Sequence, residues 1–202
     1  MASTASPYGF KAVNELGGLP YAGSTRSFPI ASGYGTNIYN GSLVYVQSTG
    51  YLAIATSTGA DATTNGFPTG TANTGIVGVF AGCSYVNAQG QQIWSQYYPT
   101  GTTGVVTAQV IDDYDTVFQV QSAGTVAQNA VGANVFFSTG AVATGSTATG
   151  NSTASVVAGA SAVTTTAAFR VIGFASPVGD AFTDILVKIN PGYHTYTNAV
   201  GL

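Results

Sequence analysis

Residues 105–121 read Val105-Val106-Thr107-Ala108-Gln109-Val110-Ile111, then Asp112-Asp113-Tyr114-Asp115, then Thr116-Val117-Phe118-Gln119-Val120-Gln121. Both flanks are rich in β-branched residues, and in the second Gln119 and Gln121 alternate with Phe118 and Val120, the two-residue period of a half-buried strand. The stretch predicts strands over 105–111 and 116–121 joined by a short acidic turn. Near the C-terminus Ile185, Val187 and Ile189 share one face while Asp184 and Lys188 take the other, which predicts a further strand. Asn87-Ala88-Gln89-Gly90 separates Cys83-Ser84-Tyr85-Val86 from Gln91-Gln92-Ile93-Trp94. Its Asn and Gly tolerate the positive φ of tight turns, so this segment reads as a hairpin. Apolar residues at helical spacing among Leu, Glu, Lys and Arg are nearly absent, and one turn of helix near 126–131 is the most the pattern allows.

The fold class is therefore all-β, a barrel or sandwich of antiparallel strands. Two long Gly/Thr-rich insertions, 56–74 and 144–166, interrupt it. A weak echo joins the halves. Gly41-Ser42-Leu43-Val44-Tyr45-Val46-Gln47-Ser48-Thr49-Gly50 leads through the first insertion to Ile76-Val77-Gly78-Val79-Phe80-Ala81. Gly132-Ala133-Asn134-Val135-Phe136-Phe137-Ser138-Thr139-Gly140 leads through the second to Val171-Ile172-Gly173-Phe174-Ala175. Units 41–82 and 132–175 thus have the pattern of an internal duplication, and chance similarity in so biased a composition is the competing reading. The insertions are long for loops of a compact domain, which leaves two readings: contact with a partner, or mobile solvent loops. The resulting division is an N-terminal arm (1–20), a β domain (21–190) and a C-terminal tail (191–202).

Composition bears on the surface. Among 202 residues there are 4 Lys+Arg and 7 Asp+Glu, a net charge of -3, against 27 Gly. An ordinary domain carries about a quarter charged residues, and a surface this poor in charge associates unless it is covered. Disorder is opposed by 45% hydrophobic residues, with 12 Tyr and 10 Phe. The one cysteine, Cys83, excludes an internal disulfide framework and multi-Cys zinc patterns. The first ten residues lack a basic segment followed by an apolar one, and the nearly apolar runs 76–86 and 154–163 fall far short of the ~20 residues needed to span a bilayer. No membrane partner is expected. Nor is nucleic acid, since Lys11, Arg26, Arg170 and Lys188 are scattered and cannot neutralise a row of phosphates.

Catalytic chemistry has little to draw on. There is no Gly-Lys-Ser/Thr phosphate loop and no Gly-x-Ser-x-Gly elbow. Cys83 and the single histidine, His194, form the one conceivable nucleophile and base, with no visible orienting partner. Cys83 reads better as a small buried hydrophobe. Asp112, Asp113 and Asp115 are acidic and close, but their spacing is not that of an EF-hand, and a solvated turn is the plainer reading. The expectation is a protein that is not an enzyme and needs no cofactor. Trp94, Tyr97 and Tyr98 are candidates for contact with a partner, since such side chains join apolar area to a polar tip. Tyr97 and Tyr98, being adjacent on a strand, must point to opposite faces. Pro7, Tyr8 and Phe10 are candidates for docking of the arm into a neighbour's groove.

Several segments together carry a resemblance. They are Ser6-Pro7-Tyr8-Gly9-Phe10-Lys11, Tyr34-Gly35-Thr36-Asn37-Ile38-Tyr39, Gly75 to Tyr85, Gln96-Tyr97-Tyr98-Pro99, Val117-Phe118-Gln119-Val120-Gln121, Arg170-Val171-Ile172-Gly173 and Leu186-Val187-Lys188-Ile189-Asn190. Spread over nearly the whole chain, they resemble the structural proteins of tailed bacteriophages, notably aquatic ones. Relatives often carry Asp where this chain has Ser42, and a more basic segment in place of Ser176-Pro177-Val178-Gly179. The resemblance implies a capsid cement or decoration protein. Such a β-rich subunit sits on the virion exterior, bound to the major capsid protein and often as a homotrimer. From a different class, a carbohydrate- or receptor-binding module of a tail or cell surface would use Trp94, Tyr97 and Tyr98.

Overall fold

The computed structural model describes residues 4–55, 75–138, 144–158 and 167–198. The first insertion and the later part of the second lie outside them. Among the described residues the chain is all-β, with one short 3₁₀ turn at Gln128–Ala130 where a helical turn is expected.

Five strands close into a barrel in the order β4 (Leu43–Val46), β5 (Leu52–Ile54), β2 (Arg26–Ile30), β9 (Val106–Ile111) and β6 (Gly78–Val86), with β6 returning to pair with β4. Every pairing is antiparallel except β2 with β5, where Ile30 lies opposite Leu52. β6 is nine residues long and outruns β4. Its first residues pair with Leu43 and Val44, and its later ones with β7 (Gln92–Ser95), which is thereby appended to the barrel wall. Between these two uses the ladder slips at Phe80/Gly82, and Gly82 takes φ 138°, which a side chain would resist. A ribbon of β3 (Ile38–Tyr39) and β8 (Tyr97–Tyr98) sends Ile38 and Tyr98 into the barrel interior.

A second sheet has the order β1 (Lys11–Glu15), β10 (Thr116–Gln121), β13 (Asp184–Ile189), β12 (Phe169–Phe174) and β11 (Asn134–Val135), all antiparallel. It packs on one wall of the barrel, and the burial of β4 shows this directly. Val44 and Val46 join the interior cluster with Leu52, Ile54, Phe80 and Val110. Leu43 and Tyr45 face the other way and join Phe118, Phe169, Ile185 and Val187 of the second sheet. A strand covered on both faces needs an unbroken apolar run, and Leu43-Val44-Tyr45-Val46 supplies one. β9 has a single covered face and alternates accordingly, with Val106, Ala108 and Val110 buried.

The N-terminal arm is corrected by this packing. Phe10 is 1% exposed. Its ring stacks on Phe169 at 5.0 Å and Phe137 at 6.0 Å and meets Phe118 edge-on at 6.4 Å. Gly9 and Gly41 cross closely enough that a Cβ on Gly9 would stand 2.8 Å from the Gly41 carbonyl oxygen, and the Phe10 N–H donates to that oxygen at 2.9 Å. Residues 11–15 are a strand of the sheet. The described part of the tail, 191–198, is likewise held to the fold. The Ile76 N–H donates to the Tyr193 carbonyl at 2.7 Å and the Thr195 N–H to the Ile76 carbonyl at 2.9 Å, beside a fully buried His194.

The two echoing units each form an antiparallel pair, β4 with β6 and β11 with β12. Their registers differ. Gly78 lies opposite Val44, whereas Phe169, four residues before Gly173, lies opposite Val135. The matching letters therefore occupy different rungs, in different sheets.

Candidate functional site

The two sheets carry charge unequally. Of the barrel strands and β7, only β2 bears a charged residue, Arg26. All four basic side chains are engaged within the chain. Arg26 Nε meets Asp112 Oδ2 at 2.8 Å, and Lys188 Nζ meets Asp115 Oδ1 at 2.5 Å. Arg170 donates to Asn134 Oδ1 at 3.2 Å, and Lys11 lies 4.6 Å from the centre of the Tyr8 ring.

These pairings absorb the acidic cluster. Asp112 also accepts from the Tyr196 hydroxyl at 3.0 Å, and Asp113 accepts from the Asp115 N–H at 2.8 Å. Asp112 is buried, not solvated as its turn position predicts, because Arg26 and Tyr196 cover it. Among the described residues no group of three or more His, Cys, Asp and Glu side chains is placed to hold a metal. Cys83 and His194 are not brought together. Cys83 lies in the barrel interior, where burial pushes its thiol up to about 12, the opposite of an activated nucleophile. His194 packs by Tyr114 and Tyr196, its Nδ1 accepting from the Tyr196 N–H at 3.3 Å, and burial lowers its pKa.

Of the six candidate contact residues, two are removed by burial. Phe10 is in the core, and Tyr98 is 0% exposed inside the barrel, where its hydroxyl donates to the Tyr34 carbonyl at 3.1 Å. The strand period makes Tyr97 the outward member of the pair, half-buried and stacked on Tyr39 at 5.7 Å. Pro7 and Tyr8 are half-buried. Burial beside Asp184 raises the pKa of the Tyr8 hydroxyl. Trp94 alone stands clear, 74% exposed.

Trp94 has a defined setting. On the outer barrel wall it lies opposite Ser84, which lies opposite Thr107. In the next row Gly82 is opposite Gln109, and Gln96 follows two residues after Trp94, in the bend between β7 and β8. Gly82 leaves that row without a side chain at its middle. The result is a hollow of about 260 Å³ lined by Trp94, Gly82, Ser95, Gln96 and Gln109 among others.

A second exposed apolar feature was not anticipated from the sequence. After β1 the chain turns back, with the Gly18 N–H donating to the Glu15 carbonyl and the Glu15 N–H to the Leu19 carbonyl, both at 2.8 Å. Leu16 and Leu19 stand out from this turn, 49% and 63% exposed, and Val13 of β1 is exposed as well. Leu16-Gly17-Gly18-Leu19-Pro20 signals a turn through its glycines, but nothing local says that its leucines face out. No protein-family model matches this chain, and comparisons with the curated proteins and with the solved structures find no match.

Proposed function

We propose that the chain is a structural accessory protein that binds the outer surface of a bacteriophage head, as the sequence resemblance implies, and stabilises the shell through its major capsid protein. The observation that carries the docking mode is the apolar turn. Leu16 and Leu19 are exposed on a turn already held by its own hydrogen bonds, and Val13 is exposed on the strand that leads into it. Binding through a preformed turn avoids the cost of ordering a loop, and apolar patches on a folded surface mark contact sites. The internally paired basic residues leave attachment to apolar area and shape. The charge-poor surface further favours a closed homo-oligomer, a trimer on this reading, to be counted by native mass spectrometry.

The test uses purified full-length protein and empty heads. Leu16→Asp with Leu19→Asp should weaken attachment at least ~10-fold, the scale of two anchors costing ~1 kcal/mol or more each, with melting temperature nearly unchanged. Attachment unaffected by the double substitution would overturn the docking mode. Electron microscopy of particles should show hundreds of copies over the shell. A few dozen copies at one vertex would favour the tail or receptor-binding module instead.

A further inference from the structure

We infer that the hollow beside Trp94 is a binding site for one ring of a neutral sugar, an activity separate from attachment to a shell. Three features of the wall converge on that ligand. The indole is 74% exposed on an edge strand with no fully buried residue, and it lies opposite the small Ser84. An indole face is electron-rich, and the C–H edges of a pyranose are its complement. The floor comes from Gly82, at the slip in the β6–β9 ladder. A Cβ there would stand 3.0 Å from the Ser95 carbonyl oxygen, so the missing side chain both permits the close strand approach and opens the space.

The rim is polar and uncharged. Gln109 Nε2 donates to Ser27 Oγ at 3.1 Å, and its Oε1 accepts from Thr25 Oγ1 at 3.3 Å. Its carboxamide is thus held in orientation with a second N–H to spare. Gln96 is exposed across Gly82 from Gln109, its Cα 3.9 Å from where a Gly82 Cβ would stand and its carboxamide oxygen beside Gly150. Carboxamides both donate and accept, as sugar hydroxyls do, which makes the pair a match for a polyol ring. An anionic sugar finds no cation here, since β6, β7 and β9 carry no charge. A purely aliphatic ligand would strip water from both amides without replacing it. A proline-rich peptide needs a groove of several aromatics, and this wall offers one indole. At about 260 Å³ the hollow lies below the range of drug-sized sites, in keeping with a single ring.

Trp94 is the only tryptophan, so its emission reports the site directly. Full-length protein is titrated with methyl glucoside, methyl galactoside, methyl mannoside and N-acetylglucosamine. Glucuronic acid and a proline-rich peptide serve as contrasts. At least one neutral sugar should give a saturable shift of the emission to shorter wavelength, with half-saturation on the order of 1 mM. Gln96→Ala should weaken that response ~5- to 10-fold with melting unchanged, and Trp94→Ala should abolish binding followed by ligand-observed NMR. The Leu16→Asp, Leu19→Asp protein should bind the sugar normally and Trp94→Ala should still attach to heads, so the two sites fail separately. A flat titration with all four neutral sugars overturns the assignment. So does a stronger response to glucuronic acid or the peptide, or loss of head attachment in Trp94→Ala, which would make the wall a protein interface.

Discussion

Phe10 shows how one side chain can tie a terminal segment to the fold. It fills a ring of Phe118, Phe137 and Phe169, which come from three distant parts of the chain. Phe10→Ala removes a fully buried aromatic and should cost ~3–5 kcal/mol, a drop of about 10 °C in melting temperature for a chain of this size. Thermal unfolding followed by circular dichroism measures it. His194 gives a pH dependence. Burial is the main cause of its lowered pKa, while Asp112 and Asp113 face it and pull the other way and Lys188 adds to the lowering. The unfolded chain then takes up the proton first as pH falls. Stability should be flat above the ordinary histidine value of ~6.5 and decline below it, toward the depressed folded value, by at most ~1.4 kcal/mol per pH unit. In His194→Gln that decline should vanish, leaving the carboxylate titrations at lower pH. An unchanged slope between pH ~6.5 and ~5 in the substituted protein would assign the decline elsewhere.

At the level of elements, what the sequence shows depends on how local the cause is. β10 occupies 116–121 and β13 184–189, where the sequence places strands. β13 alternates because one face is covered, whereas in β10 all but Gln119 are buried, with Ser6 and Thr4 bonded to Gln121. The 83–94 hairpin forms with Gly90 at φ 80° and the Asn87 side chain accepting from the Gln89 and Gln91 N–H groups, a turn whose chemistry is contained in four residues. Closure of the barrel is not local. The β4–β6 pairing joins residues on either side of the 56–74 insertion, and no pattern within either strand names its partner. The acidic turn likewise depends on Lys188 and Tyr196, 73 and 84 residues away from Asp115 and Asp112. Alternation says that Tyr97 and Tyr98 oppose each other but not which lies inside, and the barrel interior takes Tyr98. The arm misleads for the same reason, since Pro7-Tyr8-Gly9-Phe10 has no periodic neighbours to reveal that its last residue is core. Deleting residues 1–10 should accordingly lower the melting temperature by about 10 °C or more. It removes Phe10 and also the bonds that Ser6 and Thr4 make to the Gln121 carboxamide, at 2.8 and 3.3 Å. Melting unchanged by the deletion would mean the segment is no part of the folded unit.

Across the whole molecule, charge is spent internally. Arg26 and Lys188 pair with Asp112 and Asp115 where the barrel meets the second sheet, and the other two basic residues, Lys11 and Arg170, are also engaged within the chain. Exposed pairs contribute little to stability, but pairing here also withdraws both cations from any partner. A contact made by Val13, Leu16 and Leu19 then gains from burial of apolar area at roughly 25 cal/mol per Å², a contribution that salt does not screen. On the proposed capsid-binding role, attachment to empty heads should therefore persist from low salt to ~1 M, where the screening length falls to about 3 Å. Arg26→Ala should leave attachment nearly intact while lowering stability, because Asp112 loses its partner in a buried position, whereas Leu19→Asp should do the reverse. Sedimentation of heads with bound protein across the salt series separates these outcomes. Release at moderate salt, or a larger attachment defect in Arg26→Ala than in Leu19→Asp, would show that charge rather than apolar area holds the protein in place.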